Sequence, residues 1–319
     1  MHFSRPILSL CCALIISSGA SAIRAETSMP VREGDPSCDK RCLNQFVDQY
    51  LQALVSHDPH SVPMSKDVKF TENTVRLNVG DGLWSTATGL GDYRLYASDP
   101  WAEQAAAITV VLEQDGPKVL ALRLRIKNRQ ITEIESVIAR PGSTDPLSPA
   151  LLTWQVKPIW LEPLKPEERV PRDDMVTAAN NYFEAIEHDD GKVVPFDASC
   201  TMANREADGP FVPRPNMPDM SKMGCGDMFN HGMMGGLRIP ERHFWLVDEE
   251  RGIVFGAFMF CIDAPVKVAP GQSVALNGEA SRQPNTGIIA EMFKIKSGRI
   301  YEINNVTGPV LAYGTRSGW

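Results

Sequence analysis

MGCGDMFNHGMMGGLRIPERHFWLVDEERGIVFGAFMFCID, residues Met223 to Asp263, is the stretch from which the rest of the chain can be read. It reads as a short helical segment, a glycine break at Gly235 and Gly236, and two long strands, Arg242 to Val247 and Ile253 to Ile262. The charged turn Asp248-Glu249-Glu250-Arg251-Gly252 joins the strands. The second strand, with Phe255, Phe258, Met259, Phe260 and Ile262, is apolar on both faces, so it is expected inside a sheet with material on each side. The segment before it brings Cys225, Asp227 and His231 to the mouth of whatever that sheet encloses.

At the start of the chain, Arg5 precedes an apolar run from Pro6 to Ile16 and then the small residues Ser17 to Ala22. This pattern predicts a secretory signal peptide over residues 1–25, cut after Ala22 or Ala25, and hence a periplasmic or secreted protein. No later run reaches the ~18 apolar residues of a membrane span. The net charge of −7 is scattered, with no basic stripe for nucleic acid and no basic amphipathic helix for a membrane. Beyond the leader stand Cys38, Cys42, Cys200, Cys225 and Cys261. In an oxidising compartment the first four can pair as Cys38 with Cys42 and Cys200 with Cys225, leaving Cys261 as a thiol in the most apolar strand; other pairings stay open.

The chain contains an internal repeat. Tyr50-Leu51-x-Ala53-Leu54-x-x-His57-Asp58 aligns without a gap on Tyr182-Phe183-x-Ala185-Ile186-x-x-Asp189-Asp190, and each closes a helix. Downstream, Ile131-x-Glu133-Ile134-x-x-Val137 aligns on Ile300-x-Glu302-Ile303-x-x-Val306. Tyr50 to Ile131 is 81 positions and Tyr182 to Ile300 is 118, so the second copy carries about 37 more, assigned to an insertion at about 199–237. Each unit reads as a helix followed by strands, an α+β layer arrangement. The boundaries that follow are a first domain at 36–140, a Pro-rich linker at 141–171 and a second domain at 172–319. Trp154 and Trp160 argue that the linker packs on a domain.

F-T-E-N at Phe70 to Asn73, L-N-V-G-D-G-L-W at Leu77 to Trp84, Y-R-L-Y at Tyr93 to Tyr96, N-R-E-A-D-G at Asn204 to Gly209 and V-D-E-E-R-G at Val247 to Gly252 carry a resemblance. Together they resemble a bacterial and fungal family with two SnoaL-like domains in tandem, within the nuclear-transport-factor-like superfold. The resemblance implies two cone-shaped domains, each of helices wrapped by a curved antiparallel sheet. Relatives in that superfold include polyketide cyclases, ketosteroid isomerases and limonene epoxide hydrolases, which use the cone's interior as an apolar pocket. It implies no cofactor and no metal, and assigns no individual residue here, since the superfold hosts many chemistries.

The candidate residues come from the sequence itself. Glu206, and Glu72 in the first copy, stand at similar distances from the repeat tyrosines. A glutamate facing an apolar cone has its charged form disfavoured and suits acid or base work, whereas in a surface turn it does neither. Tyr182 can point its hydroxyl into a cavity or serve as a core tyrosine. Asp227 and His231 are one helical turn apart, the spacing of an aspartate that orients a histidine base. Catalytic roles are expected for Glu206, His231, Asp227 and Tyr182, and substrate contacts for Arg205, Asn204, Phe229, Trp245 and Phe258. Seven of the thirteen methionines fall between Met202 and Met234, which suits either Cu(I) or adaptable apolar packing.

The leading expectation is an exported, cofactor-independent isomerase, cyclase, lyase or hydratase acting on a small apolar oxygenated molecule, with a homo-oligomer as a further possibility. The alternatives are a non-catalytic small-molecule binding protein, or Cu(I) binding through the Met-rich loop.

Overall fold

The computed structural model describes residues 26–28, 38–142, 145, 147–201, 223–230, 236–263 and 283–319. Elements of the first half are β1 (Glu26–Ser28), α1 (Lys40–Ser56), β2 (Met64–Glu72), β3 (Val75–Leu77), α2 (Leu83–Thr86), β4 (Gly89–Asp99), β5 (Gln104–Glu113), β6 (Gly116–Lys127) and β7 (Gln130–Ala139). After the short linker helices α3 (Leu147–Ala150) and α4 (Pro158–Leu161) come α5 (Arg172–His188), α6 (Asp227–Asn230), β8 (Leu237–Asp248), β9 (Ile253–Ile262), β10 (Asn285–Lys296) and β11 (Arg299–Leu311). The class is α+β, as the sequence predicts.

Helix α1 starts where the Asp39 carboxylate accepts the Cys42 amide at 2.8 Å. Leu43, Phe46, Val47, Tyr50, Leu51 and Leu54 recur at helical spacing and are all buried. The helix stops at His57, whose backbone is left-handed, and Asp58 then caps the next turn by accepting the His60 amide at 3.0 Å. Helix α5 ends in the same way. Asp189 is left-handed and Asp190 accepts the Lys192 amide at 3.0 Å.

The first sheet has the order β3-β2-β7-β6-β5-β4, with β2 parallel to β7 and the remaining pairs antiparallel. The second has the order β1-β8-β9-β10-β11, in which β1 runs parallel to β8. A single parallel bridge, Phe196 to Ile300, continues this sheet beyond β11. It mirrors the parallel pair Met64 and Ile131 in the first sheet. In both places the isoleucine amide donates to a proline carbonyl at 2.9 Å, Ile131 to Pro63 and Ile300 to Pro195.

Three apolar clusters define the layers. The first lies between α1 and one face of the first sheet, and another between α5 and one face of the second. The third lies between the two sheets, where Leu95, Ile108 and Val110 meet Phe255, Met259 and Met292. The order is therefore helix, sheet, sheet, helix. This accounts for β9: all ten residues are buried, Val254 and Phe258 toward α5, Phe255 and Met259 toward the first sheet. Each large side chain so buried contributes ~1.5–3 kcal/mol. Trp154 and Trp160 of the linker are buried in the inter-sheet cluster, so the linker is packed down, as two tryptophans require. Among the described residues no helix is long and apolar enough to cross a membrane.

Candidate functional site

One end of the second half carries a disulfide. Cys200 and Cys225 are joined with their Cα atoms 5.5 Å apart, Cys38 and Cys42 form the second bridge, and Cys261 is a buried thiol. Beside the first bridge, Thr201 and Gly224 pair as short antiparallel backbone. Asp227 opens α6, and its Oδ2 accepts the Gly224 amide at 2.7 Å, which fixes the turn through Cys225. A Cβ added at Gly191 would lie 2.7 Å from the Gly226 carbonyl, so this turn approaches the backbone after α5 as closely as glycine permits.

Beneath the turn lie two of the expected residues. Phe229 is buried, its ring 6.0 Å from that of Tyr182 and stacked on Phe196 at 6.3 Å. The Tyr182 ring meets Phe183 at 5.1 Å and Phe293 at 5.5 Å in edge-on contacts. Tyr182, Phe229 and Asp227 are therefore brought to one end of the fold, Asp227 exposed and the two rings buried. Asn204, Arg205, Glu206 and His231 lie outside the described residues, as does most of the methionine-rich stretch.

Two expected substrate contacts are placed otherwise. Phe258 is not at a ligand surface but packed at 4.1 Å on Phe183, with Phe244 at 5.1 Å, because the space between α5 and the sheet is filled by aromatic rings. Trp245 belongs to the opposite face of β8 from Phe244. It stacks on His243 at 4.9 Å and lies under the Arg123 guanidinium at 4.1 Å. Side chains alternate across a strand, and Phe244 takes the inward position, so Trp245 is turned to the seam between the halves.

In the first half, the residues equivalent to the expected site, Tyr50 and Glu72, are each engaged by neighbouring structural groups. Tyr50 Oη accepts the Trp84 indole N–H at 3.0 Å, and burial pushes its hydroxyl well above the ordinary tyrosine range. The Glu72 carboxylate is buried; Oε2 accepts the Leu83 amide at 2.8 Å and Oε1 accepts Arg140 at 3.3 Å. Its reach to Leu83 depends on Gly82, at φ 64°, where a Cβ would stand 2.5 Å from Oε2. One oxygen thus holds the turn into α2 and the other ties it to Arg140 at the end of β7.

A pocket of about 320 Å³, which the reading of the sequence did not anticipate, opens where the two halves and the linker meet. Asn73 and Arg140 come from the first half, Trp154 and Leu147 from the linker, and Val306 and Thr307 from β11. One signal was present: Asn73 ends the F-T-E-N stretch. Asn73 and Thr74 both have positive φ, 47° and 75°, and for a β-branched threonine that conformation is strained.

Residues 168–307 match the model of a domain of unknown function, DUF8021. No curated protein matches the chain in sequence. Among solved structures, a Bacillus cereus protein provisionally named a polyketide cyclase is similar at 12% sequence identity and a TM-score of 0.23, over 48% of this chain and 91% of that one. A likeness at that level is too slight to carry any chemistry across.

Proposed function

We propose that the protein is an exported, cofactor-independent enzyme that applies acid and base chemistry to a small apolar oxygenated molecule at the disulfide-bearing end of its second half. The carrying observation is the Cys200–Cys225 disulfide. It pins both ends of the segment containing Asn204, Arg205 and Glu206 beside α6, whose Phe229 lies against Tyr182. His231 follows α6 directly in the chain. In this reading Tyr182 and Phe229 form an apolar floor, Arg205 and Asn204 orient the oxygenated group, Glu206 transfers the proton, and His231 with Asp227 is its counterpart. Because the rings beneath the floor are packed, the substrate sits on the floor and not deep within the half. The two disulfides support an oxidising compartment.

We also infer that the chain is two copies of one cone-shaped SnoaL-like unit. The matched helix ends at Asp58 and Asp190, and the matched bridges at Ile131 and Ile300, support this reading. The second copy holds the chemistry because it carries the tethered insertion. A carrier that binds without converting its ligand is favoured by one observation, the engagement of the Asp227 carboxylate by its own turn.

A thermal-shift screen of oxygenated aromatics and terpenoids, followed by product analysis of the hits, separates the two. Glu206→Gln should lower turnover by about 10²-fold or more while the ligand still raises the melting temperature. Binding with no product formed by the wild type identifies the carrier, and full turnover by Glu206→Gln removes Glu206 from the mechanism.

A further inference from the structure

We infer that the pocket between the two halves binds a neutral molecule with a compact apolar body and a carbonyl or ether oxygen. The volume, about 320 Å³, lies at the lower end of the range for small-molecule sites, roughly 300–1,000 Å³. Ile138, Leu147, Trp154 and Val306 supply apolar walls. The polar component is Asn73, which lines the pocket at 8% exposure. Its Oδ1 accepts the Ile138 amide at 2.8 Å, so the amide group can be oriented only one way. That leaves the Nδ2 donor pair, which has no hydrogen-bond partner among the described residues. That donor pair opens onto the apolar-walled pocket, where an oxygen of the occupant can accept from it.

The surrounding charges decide that the occupant is neutral. Arg140 also lines the pocket, but its guanidinium is committed to Glu113 at 2.9 Å and Glu72 at 3.3 Å. Lys118, nearby on β6, is paired with Asp115 at 2.9 Å, and Asp145 stands on the linker wall. Four carboxylates against two cations leave the region net negative, so a ligand carboxylate is repelled while an uncharged oxygen is accepted by Asn73. Since the walls come from both halves and the linker, an occupant spans the seam. This site is separate from the one proposed at the Cys200–Cys225 end and does not depend on it.

The test uses the full disulfide-bonded chain and three probes of like size: acetophenone, benzoate and ethylbenzene, followed by saturation-transfer NMR. Acetophenone should bind in the millimolar range expected of a fragment of about nine non-hydrogen atoms, with benzoate about tenfold weaker or worse and ethylbenzene about fivefold weaker. Asn73→Asp keeps the acceptor for Ile138 but removes the donor, and should weaken acetophenone about tenfold with ethylbenzene unchanged. Leu147→Trp should fill the pocket and abolish acetophenone binding; Thr307→Trp, from the opposite wall, replaces it if that variant fails to fold. Absent acetophenone binding, binding indifferent to Asn73→Asp and the filling variant, or preference for benzoate would each overturn the inference.

Discussion

Lys294 is an ammonium buried at the end of β10, where its Nζ donates to the backbone carbonyls of Arg251 and of Glu162, the latter at 3.3 Å. Burial first, and the Arg251 guanidinium second, bring its pKa down to about 8. Below that pH the group is charged in both folded and unfolded chains, and the fold carries the whole cost of burying it. As the pH rises from about 8 toward the ordinary lysine value of ~10.4, the folded chain releases the proton first and the cost shrinks. Wild-type stability should therefore rise relative to Lys294→Met over that window, by about 1–2 kcal/mol once solvent screening is allowed for. Urea denaturation of the two proteins at pH 7, 8.5 and 10 reads it directly; a difference that stays flat with pH would show that Lys294 does not titrate there. Arg123 is the contrasting buried cation. It is bonded to Glu133 at 2.8 Å, Glu135 at 3.1 Å and Gln104 at 2.9 Å, with Trp245 and Trp319 under its guanidinium. Lys294 has carbonyls where Arg123 has carboxylates.

At the scale of elements, the two helix ends give a comparison internal to one chain. Asp58 and Asp190 each accept an amide two residues on, at 3.0 Å in both cases, and the amide of each donates back to Ala53 or Ala185 at 3.1 Å. Asp58→Ala and Asp190→Ala should each cost about 1 kcal/mol, the usual worth of such a cap, and agree within roughly 0.5 kcal/mol. Chemical denaturation that gave one of them no cost would break the equivalence of the two turns. The disulfides differ instead. The Cys200–Cys225 bridge closes 25 residues and Cys38–Cys42 only 4. In the chain-entropy account the first stabilises by about 3 kcal/mol and the second by about 2, so the Cys200→Ser, Cys225→Ser double variant should lose more stability than Cys38→Ser, Cys42→Ser. The reverse order would mean that the shorter bridge matters more to the start of α1 than to chain entropy.

For the whole molecule, the inter-sheet cluster joins the halves through side chains that neither half covers alone. Phe255 is buried there beside Met259, Met292 and residues of the first sheet. Phe255→Ala should cost about 3–5 kcal/mol, and the two halves should still unfold together, because exposing one sheet's outer face uncovers the other. Tryptophan fluorescence and far-ultraviolet circular dichroism should trace one coincident transition. Two separated transitions would show that each half is stable by itself.

What the sequence determined is local. The apolar run of β9, the helix stripes and their endings at Asp58 and Asp190 are set by spacing and by residue chemistry within a few turns of chain, whereas the cysteine pairs, one reading among several in the sequence, are fixed by the fold. The packing of the linker tryptophans was legible for the same reason, since so much apolar ring demands cover. Which surface covers which face was decided only in three dimensions. The sequence marks Phe258 and Trp245 as large and apolar, yet one fills the space against α5 and the other faces the seam, because the partners that claim them, Phe183 for the first and Arg123 for the second, lie far away in sequence. The seam pocket exists only because the β2–β3 turn, the linker and β11 converge, and no periodicity within any of the three records where the other two will be.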